Sequence, residues 1–313
     1  MTKFLQLIRF PNLVMMALTQ LLFYYYWIVP FDNCYIKEKL FFCVVLATVL
    51  IAAGGNIIND IFDVKTDRIN KPHKVFIDTF ISQKNAYALY FLCTFVGIGL
   101  GSYVSFTIDR WWISLIFIGI ALLLFLYSSH FKSIPLVGNI IVSTLVASSL
   151  LILILFEYKY NSSKKHIHFF DAVSVVAIYV YAIFAFLINF MREMVKDIED
   201  INGDYNANIT TLPIILGRNR VNKIVAFFAG LLICFLLYAT SMYLKGKTVT
   251  TIYALFTLLL PLLYFIIKIW QADTKREYKM LSLLLKLIML FGILSTVVLY
   301  YFDPIDKLSL VLF

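Results

Sequence analysis

Along the chain, long stretches almost free of charge alternate with short polar connections, at about 10–31, 40–58, 85–108, 111–131, 133–156, 172–191, 224–244, 248–267 and 284–302. Each is close to the roughly 20 apolar residues that a helix needs to cross the hydrocarbon of a bilayer, where every backbone polar group must be satisfied within the segment. The pattern predicts an all-α integral membrane protein with about nine transmembrane helices. Little more than Asp109 and Arg110 separates the third stretch from the fourth, which implies a tight hairpin, and a short segment with Lys132 and Pro135 joins the fourth to the fifth. No linker, low-complexity tract or short internal repeat interrupts the series, so residues 1–313 read as a single transmembrane domain.

Composition strengthens this reading. The chain has 313 residues, of which 62% are hydrophobic and 14% charged. Soluble domains carry about 45–50% and about 25%, so a soluble enzyme and a disordered chain are both excluded. The net charge of +9 has no basic run interleaved with exposed aromatics, so nucleic acid is not an expected partner; the lipid bilayer and anionic phosphates are. Two thirds of the 27 Lys and Arg fall on the side of the N-terminus when the spans are alternated, which predicts a cytoplasmic N-terminus. The run Tyr24-Tyr25-Tyr26-Trp27 reads as part of an aromatic belt at the membrane interface.

Carboxylates are costly in a membrane protein, so their placement is informative. Half of the 18 Asp and Glu lie in two Asp-rich loops, at about 59–84 and 191–222. The first contains Asp60, Asp63 and Asp67 and the second Asp197, Asp200 and Asp204, both in the spacing D-x-x-D-x-x-x-D. On a helix, offsets of 0, 3 and 7 put three carboxylates on one face. Four spans separate the copies, so both patches open on the same side of the membrane and can face each other. Like charges this close repel unless a cation sits among them. Hard oxygen donors without Cys or His point to Mg²⁺, which binds one or two carboxylates and shares its remaining positions with water and phosphates. Cations flank both patches as a bound diphosphate requires: Lys65, Arg68, Lys71 and Lys74 after the first, Arg192 and Lys196 before the second, and Lys132 between them. A solvated acidic loop is the bland alternative, and it gives no reason for the repeated spacing.

These residues resemble the signatures of the UbiA superfamily of intramembrane prenyltransferases. The first is Asn59-Asp60 through Asp67, followed by Arg68-Ile69-Asn70-Lys71-Pro72; the second is Arg192-Glu193 through Asp204, followed by Thr210-Thr211-Leu212-Pro213. The resemblance implies a helical bundle around a central cavity, opening on the cytoplasmic side of an inner or cytoplasmic membrane. It also implies Mg²⁺-dependent transfer of a polyprenyl group from its diphosphate to a lipophilic acceptor. Carried over by position, it makes Asn59, Asp63, Asp67, Asp200 and Asp204 the catalytic set, and Asp60, Asp63, Asp67, Asp197, Asp200 and Asp204 the metal ligands. Arg9, Asn12, Asn56, Arg68, Lys71, Lys74, Tyr127, Lys132, Arg192 and Lys196 are then the substrate contacts. The first signature departs from the family after Pro72, where His73-Lys74-Val75-Phe76 replaces the usual continuation.

Within the superfamily, D-R-I-N-K-P, R-E-x-x-K-D-I-E-D-x-x-G-D and T-L-P look most like the geranylgeranylglyceryl-phosphate geranylgeranyltransferases of ether-lipid synthesis, so the expected acceptor is a phosphoglycerol ether; an aromatic quinone precursor is the alternative. A membrane cation transporter is the alternative of another class, but it should carry carboxylates in mid-span. A CDP-alcohol phosphotransferase requires a D-G-x-x-A-R run that neither loop contains.

Overall fold

The computed structural model describes residues 2–31, 36–70, 75–157, 159–161, 166–168, 172–206 and 209–303. Thirteen α-helices run in the order α1 Thr2–Leu7, α2 Phe10–Phe23, α3 Glu38–Phe62, α4 Val64–Asn70, α5 Gln83–Thr107, α6 Trp112–Ser129, α7 Val137–Glu157, α8 Ala172–Asn206, α9 Leu212–Leu216, α10 Arg218–Tyr243, α11 Thr248–Ala254, α12 Leu260–Gln271 and α13 Lys275–Phe302. A small antiparallel pair of strands, β1 Lys159–Asn161 and β2 His166–His168, lies between α7 and α8.

Eight helical segments among the described residues are long and apolar enough to cross a membrane. The first expected span, 10–31, is helical but composite: α2 gives way to a π-helical turn at Tyr24–Ile28 and a 3₁₀ turn at Val29–Phe31. The change of pitch turns Tyr24 and Trp27 inward, to 3% and 5% exposure, and Tyr24 stacks on Phe41 with centroids 3.8 Å apart. These two rings are therefore core residues at the far end of the bundle, a correction to the interfacial belt expected from their sequence.

Local chemistry sets the helix ends. Arg9, in the left-handed region at φ 54°, breaks α1 from α2, and Pro11 then lies in the first turn of α2, where its missing N–H costs nothing. The Ser82 hydroxyl accepts from Asn85 N at the start of α5. Thr274 and Glu277 form a reciprocal capping box at the start of α13. In the expected hairpin Asp109 takes φ 56°, and Arg110 Nη1 donates to the carbonyls of Leu155 and Phe156 at 2.8 and 3.0 Å, satisfying the last turn of α7.

Packing places α8 at the centre, against α7, α10, α13, α4 and α9. The most extensive pairing is α3 with α5, where small residues let the backbones approach: a Cβ on Gly97 would lie 2.7 Å from Ile51 Cγ1 and 3.0 Å from the Ala47 carbonyl. One large apolar cluster, with Phe23, Phe41, Phe117 and Phe156, fills the end beyond the π turn. A second, with Met194, Leu232, Phe265 and Leu285, joins α8 to α10, α12 and α13. A third, with Leu7, Ile57 and Ile77, seats α1 on α3.

Within the two acid-rich segments the aspartate motifs are helical, and non-helical chain follows each of them at 75–82 and 209–211. α8 runs unbroken through Asp197, Asp200 and Asp204, whereas the first motif straddles a break: α3 ends at Phe62, Asp63 sits at the junction with φ −85° and ψ −1°, and α4 carries Asp67.

Candidate active site

All six motif aspartates line one cavity of about 460 Å³ at the end of the bundle formed by α1, α4, the last turns of α8 and the α6–α7 turn. Asp60, Asp63 and Asp67 form one wall and Asp197, Asp200 and Asp204 another, so the spacing read from sequence does put each trio on a common face. Arg9, Asn12, Asn59, Tyr127, Lys132, Arg192 and Lys196 also line it.

Each wall is held by pairing across elements. Arg9 Nη2 meets Asp60 Oδ1 at 3.0 Å, fixing the α1–α2 break to the end of α3. Lys132 Nζ donates to Asp63 Oδ2, and Asn59 Nδ2 donates to the same oxygen at 2.6 Å. On the opposite wall Asn139 Nδ2 donates to Asp197 Oδ2 at 2.8 Å, and Glu193 receives both Lys196 at 2.6 Å and Arg192 at 3.3 Å. Burial works against the charged forms of Arg9 and Lys132. For Arg9 it is outweighed by Asp60 and Asp63, and for Lys132 by Asp63 and Tyr127, so both basic groups titrate above their ordinary values and remain cationic.

Not every expected contact reaches the cavity. Arg68 is exposed on α4 and lies outside it, a correction that follows from its place one residue past Asp67 on the helix: a step of 100° turns it away. Asn56 donates to the Ile8 carbonyl at 2.9 Å and lines the channel above rather than the acidic cavity. Lys71 and Lys74 lie outside the described residues.

Residues that the motifs did not reveal are also present. Lys286, on α13, donates to Asn12 Oδ1 at 2.7 Å and faces the same cavity, as does Asn139; Glu193 and Thr211, which the second signature carries, also line it. The sequence signal for Lys286 was a lone cation within an apolar stretch, a marker of function in a membrane helix.

From the cavity a channel of about 180 Å³ continues into the bundle between α2, α3, α6, α7 and α8. It shares Arg9, Asn12, Asn59 and Tyr127 with the acidic cavity and is walled beyond them by apolar side chains such as Met16, Ile51, Ile120 and Leu124.

The donors fit Mg²⁺ in kind. They are hard oxygens, and Asn59 Oδ1 is buried without a hydrogen-bond partner. Among the described residues no three His, Cys, Asp or Glu side chains converge closely enough to cage an ion. Separate carboxylates on two walls suit an ion whose coordination is completed by water and phosphate oxygens, and they do not suit an all-protein cage.

Comparison with known proteins places this arrangement. The chain is 32% identical over 195 residues to the digeranylgeranylglyceryl phosphate synthase of Thermococcus gammatolerans, covering 61% of this chain and 62% of that one. It is 29% identical over 293 residues to the synthase of the same name from Saccharolobus solfataricus, covering 94% and 95%. The match thus spans about six tenths of the Thermococcus relative and nearly all of the Saccharolobus one. A solved digeranylgeranylglyceryl phosphate synthase structure superposes with a TM-score of 0.62 at 24% identity, over 95% of this chain and 97% of that one. A UbiA homolog from Archaeoglobus fulgidus bound to GPP and Mg²⁺ superposes with a TM-score of 0.60 at 13% identity, over 94% and 99%. The UbiA prenyltransferase family profile covers residues 13–301, from the first turns of α2 to the end of α13, and therefore includes both acid-rich walls and the channel between them. The chain is an integral membrane protein and belongs to the UbiA prenyltransferase family.

Proposed function

We propose that this chain is a Mg²⁺-dependent intramembrane prenyltransferase, acting as one transmembrane domain, that transfers a geranylgeranyl group from its diphosphate to a phosphoglycerol ether. The observation that carries the reading is the joining of two facing aspartate walls, with cations between them, to an apolar channel. Digeranylgeranylglyceryl phosphate synthases among the relatives supply the acceptor class, and the Lys/Arg bias supplies an active site opening toward the cytoplasm.

In this reading Asp60, Asp63 and Asp67 on one wall, and Asp197, Asp200 and Asp204 on the other, would hold Mg²⁺. When bound, the metal neutralises the diphosphate and weakens the allylic C–O bond. Arg9, Lys132, Arg192 and Lys196 supply fixed positive charge where the leaving oxygens gain negative charge, in a pocket whose low polarity strengthens that attraction. Asn59 and Tyr127 border both cavity and channel and so hold the headgroup at the point where the chain enters apolar surroundings. The channel walls take the isoprenoid tail and exclude water from the allylic centre. The bond from the allylic carbon to diphosphate breaks, a bond to the acceptor hydroxyl oxygen forms, and the hydroxyl proton is released.

The test uses purified protein in detergent with Mg²⁺ and radiolabelled geranylgeranyl diphosphate, offered geranylgeranylglyceryl phosphate or a panel of aromatic acids in parallel. Label in the phosphoglycerol diether is the expected result. Label only in an aromatic product keeps the prenyl transfer and overturns the acceptor.

A further inference from the structure

A second apolar path leaves the acidic cavity, and its mouth has a different chemistry from the first. It lies between α2, α7, α8 and α13 and shares Asn12, Arg192 and Lys286 with the cavity. No carboxylate lines it, whereas the first channel includes Glu193. Beyond the mouth it is walled by Met15, Met16 and Met289, unbranched side chains that repack readily around a flexible guest. It reaches Tyr181 and Phe184, which also line a further, largely apolar cavity of about 340 Å³ toward the opposite end of α8 and α13. From Lys286 to Leu299 along α13 the path covers about 20 Å at the rise of an α-helix. That is comparable to an extended geranylgeranyl chain.

We propose that Lys286, with Asn12, forms the mouth of a second lipid channel that takes a phosphate-headed acceptor and runs beside the channel of the prenyl diphosphate. The proposal deepens the function above and rests on it. Arg192 is paired with Glu193 and belongs to the diphosphate cradle, so Lys286 is the cation this mouth offers, and its ammonium can meet a phosphomonoester by direct ion pairing. Lys286 now spends its ammonium on the Asn12 amide oxygen, a neutral acceptor that an anionic phosphate oxygen would replace with a stronger partner. The two channels share Asn12, Met16, Val146, Ser149, Asn189 and Arg192, so they run side by side and bring two lipid headgroups to one cavity. A small aromatic acid has no use for the long apolar path behind Lys286.

The experiment compares the full-length wild type with Lys286→Met, which keeps the apolar stem and removes the charge, and with Lys286→Arg. Equilibrium binding of geranylgeranylglyceryl phosphate and of geranylgeranyl diphosphate is measured separately in detergent, alongside transfer. In the Met variant the expected result is at least tenfold weaker binding of the phosphate-headed acceptor with unchanged donor binding, largely restored by Arg. Equal acceptor binding by wild type and Lys286→Met overturns the assignment of Lys286 while leaving the proposed reaction intact. Loss of both ligands together also overturns it, because that marks a structural role. A wild type that binds the donor but neither binds nor prenylates the phosphoglycerol ether overturns the proposed reaction, and the second channel's assignment with it.

Discussion

Lys132, on the turn between α6 and α7, is ion-paired with Asp63, the residue at which α3 stops. The pair bridges two helical hairpins and answers one of the six carboxylates with a cation before substrate enters. Arg9 does the same for Asp60. The repulsion expected from crowded aspartates is thus relieved at two of the six, by groups that are also placed to meet a diphosphate.

Removing the Lys132 charge should therefore have two effects. Lys132→Met leaves the buried Asp63 carboxylate with Asn59 as its remaining identified donor. A loss of about 1–3 kcal/mol in stability is expected, read as a lower melting temperature in detergent. Prenyl transfer should fall by about a hundredfold, the scale of losing one preorganised donor in a water-poor site. A variant with wild-type turnover would remove Lys132 from the diphosphate cradle.

The metal assignment predicts that Asp63→Asn and Asp200→Asn each reduce turnover by about a hundredfold or more while the protein remains inserted and monodisperse. Asn preserves shape and loses charge, so retained activity in both variants would rule out an ionic role for the two walls.

Chelation gives an independent check. Protein stripped with EDTA should neither bind geranylgeranyl diphosphate tightly nor transfer it, and Mg²⁺ should restore both. Full donor affinity in EDTA would mean that the cations alone hold the diphosphate.

The first channel should measure the donor tail. Ile120 lines it on α6, and Ile120→Trp fills space that a long chain needs and a short one does not. The ratio of geranylgeranyl to dimethylallyl transfer should fall by about tenfold or more, given about 1–3 kcal/mol per methylene group in a shaped apolar pocket. An unchanged ratio would place the tail elsewhere.

The α3–α5 contact predicts a stability effect remote from the chemistry. Gly97→Leu forces its side chain into Ile51 and the Ala47 carbonyl, and overpacking of this kind costs about 1–3 kcal/mol. Thermal unfolding at the wild-type temperature would show that the two helices can separate without loss.

Much of this was legible in the sequence because the bilayer imposes a simple rule on helix length and charge. The apolar stretches at 85–108 and 111–131 correspond to α5 and α6 almost residue for residue. The amphipathic ends were harder. α8 continues 15 residues past the end of its apolar stretch at 191, because there the polar face meets a cavity and the apolar face, with Met194, Val195 and Ile198, still packs inside the bundle. The acid trios were readable through spacing, which fixes a face along the unbroken α8; the first trio keeps its face because the Asp63 and Asp67 N–H groups still donate to the carbonyls four residues back across the junction. Arg68 illustrates the limit of that reading: proximity in sequence to Asp67 says nothing about direction. Asn139 was not legible as a site residue and Lys286 only as a lone cation in an apolar stretch; the packing of α13 on α2 and of α7 on α8 brings them to the aspartates.

The break in the chain at Asp63 gives the two walls unequal mechanical character. Asp197, Asp200 and Asp204 ride on a 35-residue rod clamped by five neighbouring helices. Asp67 rides on a seven-residue helix joined to α3 through one residue's backbone torsions. Because α4 is itself one of the five helices packed on α8, the short link to α3 and that contact together set the gap between the walls, and a substitution at position 64 bears on it without altering any charge on α8.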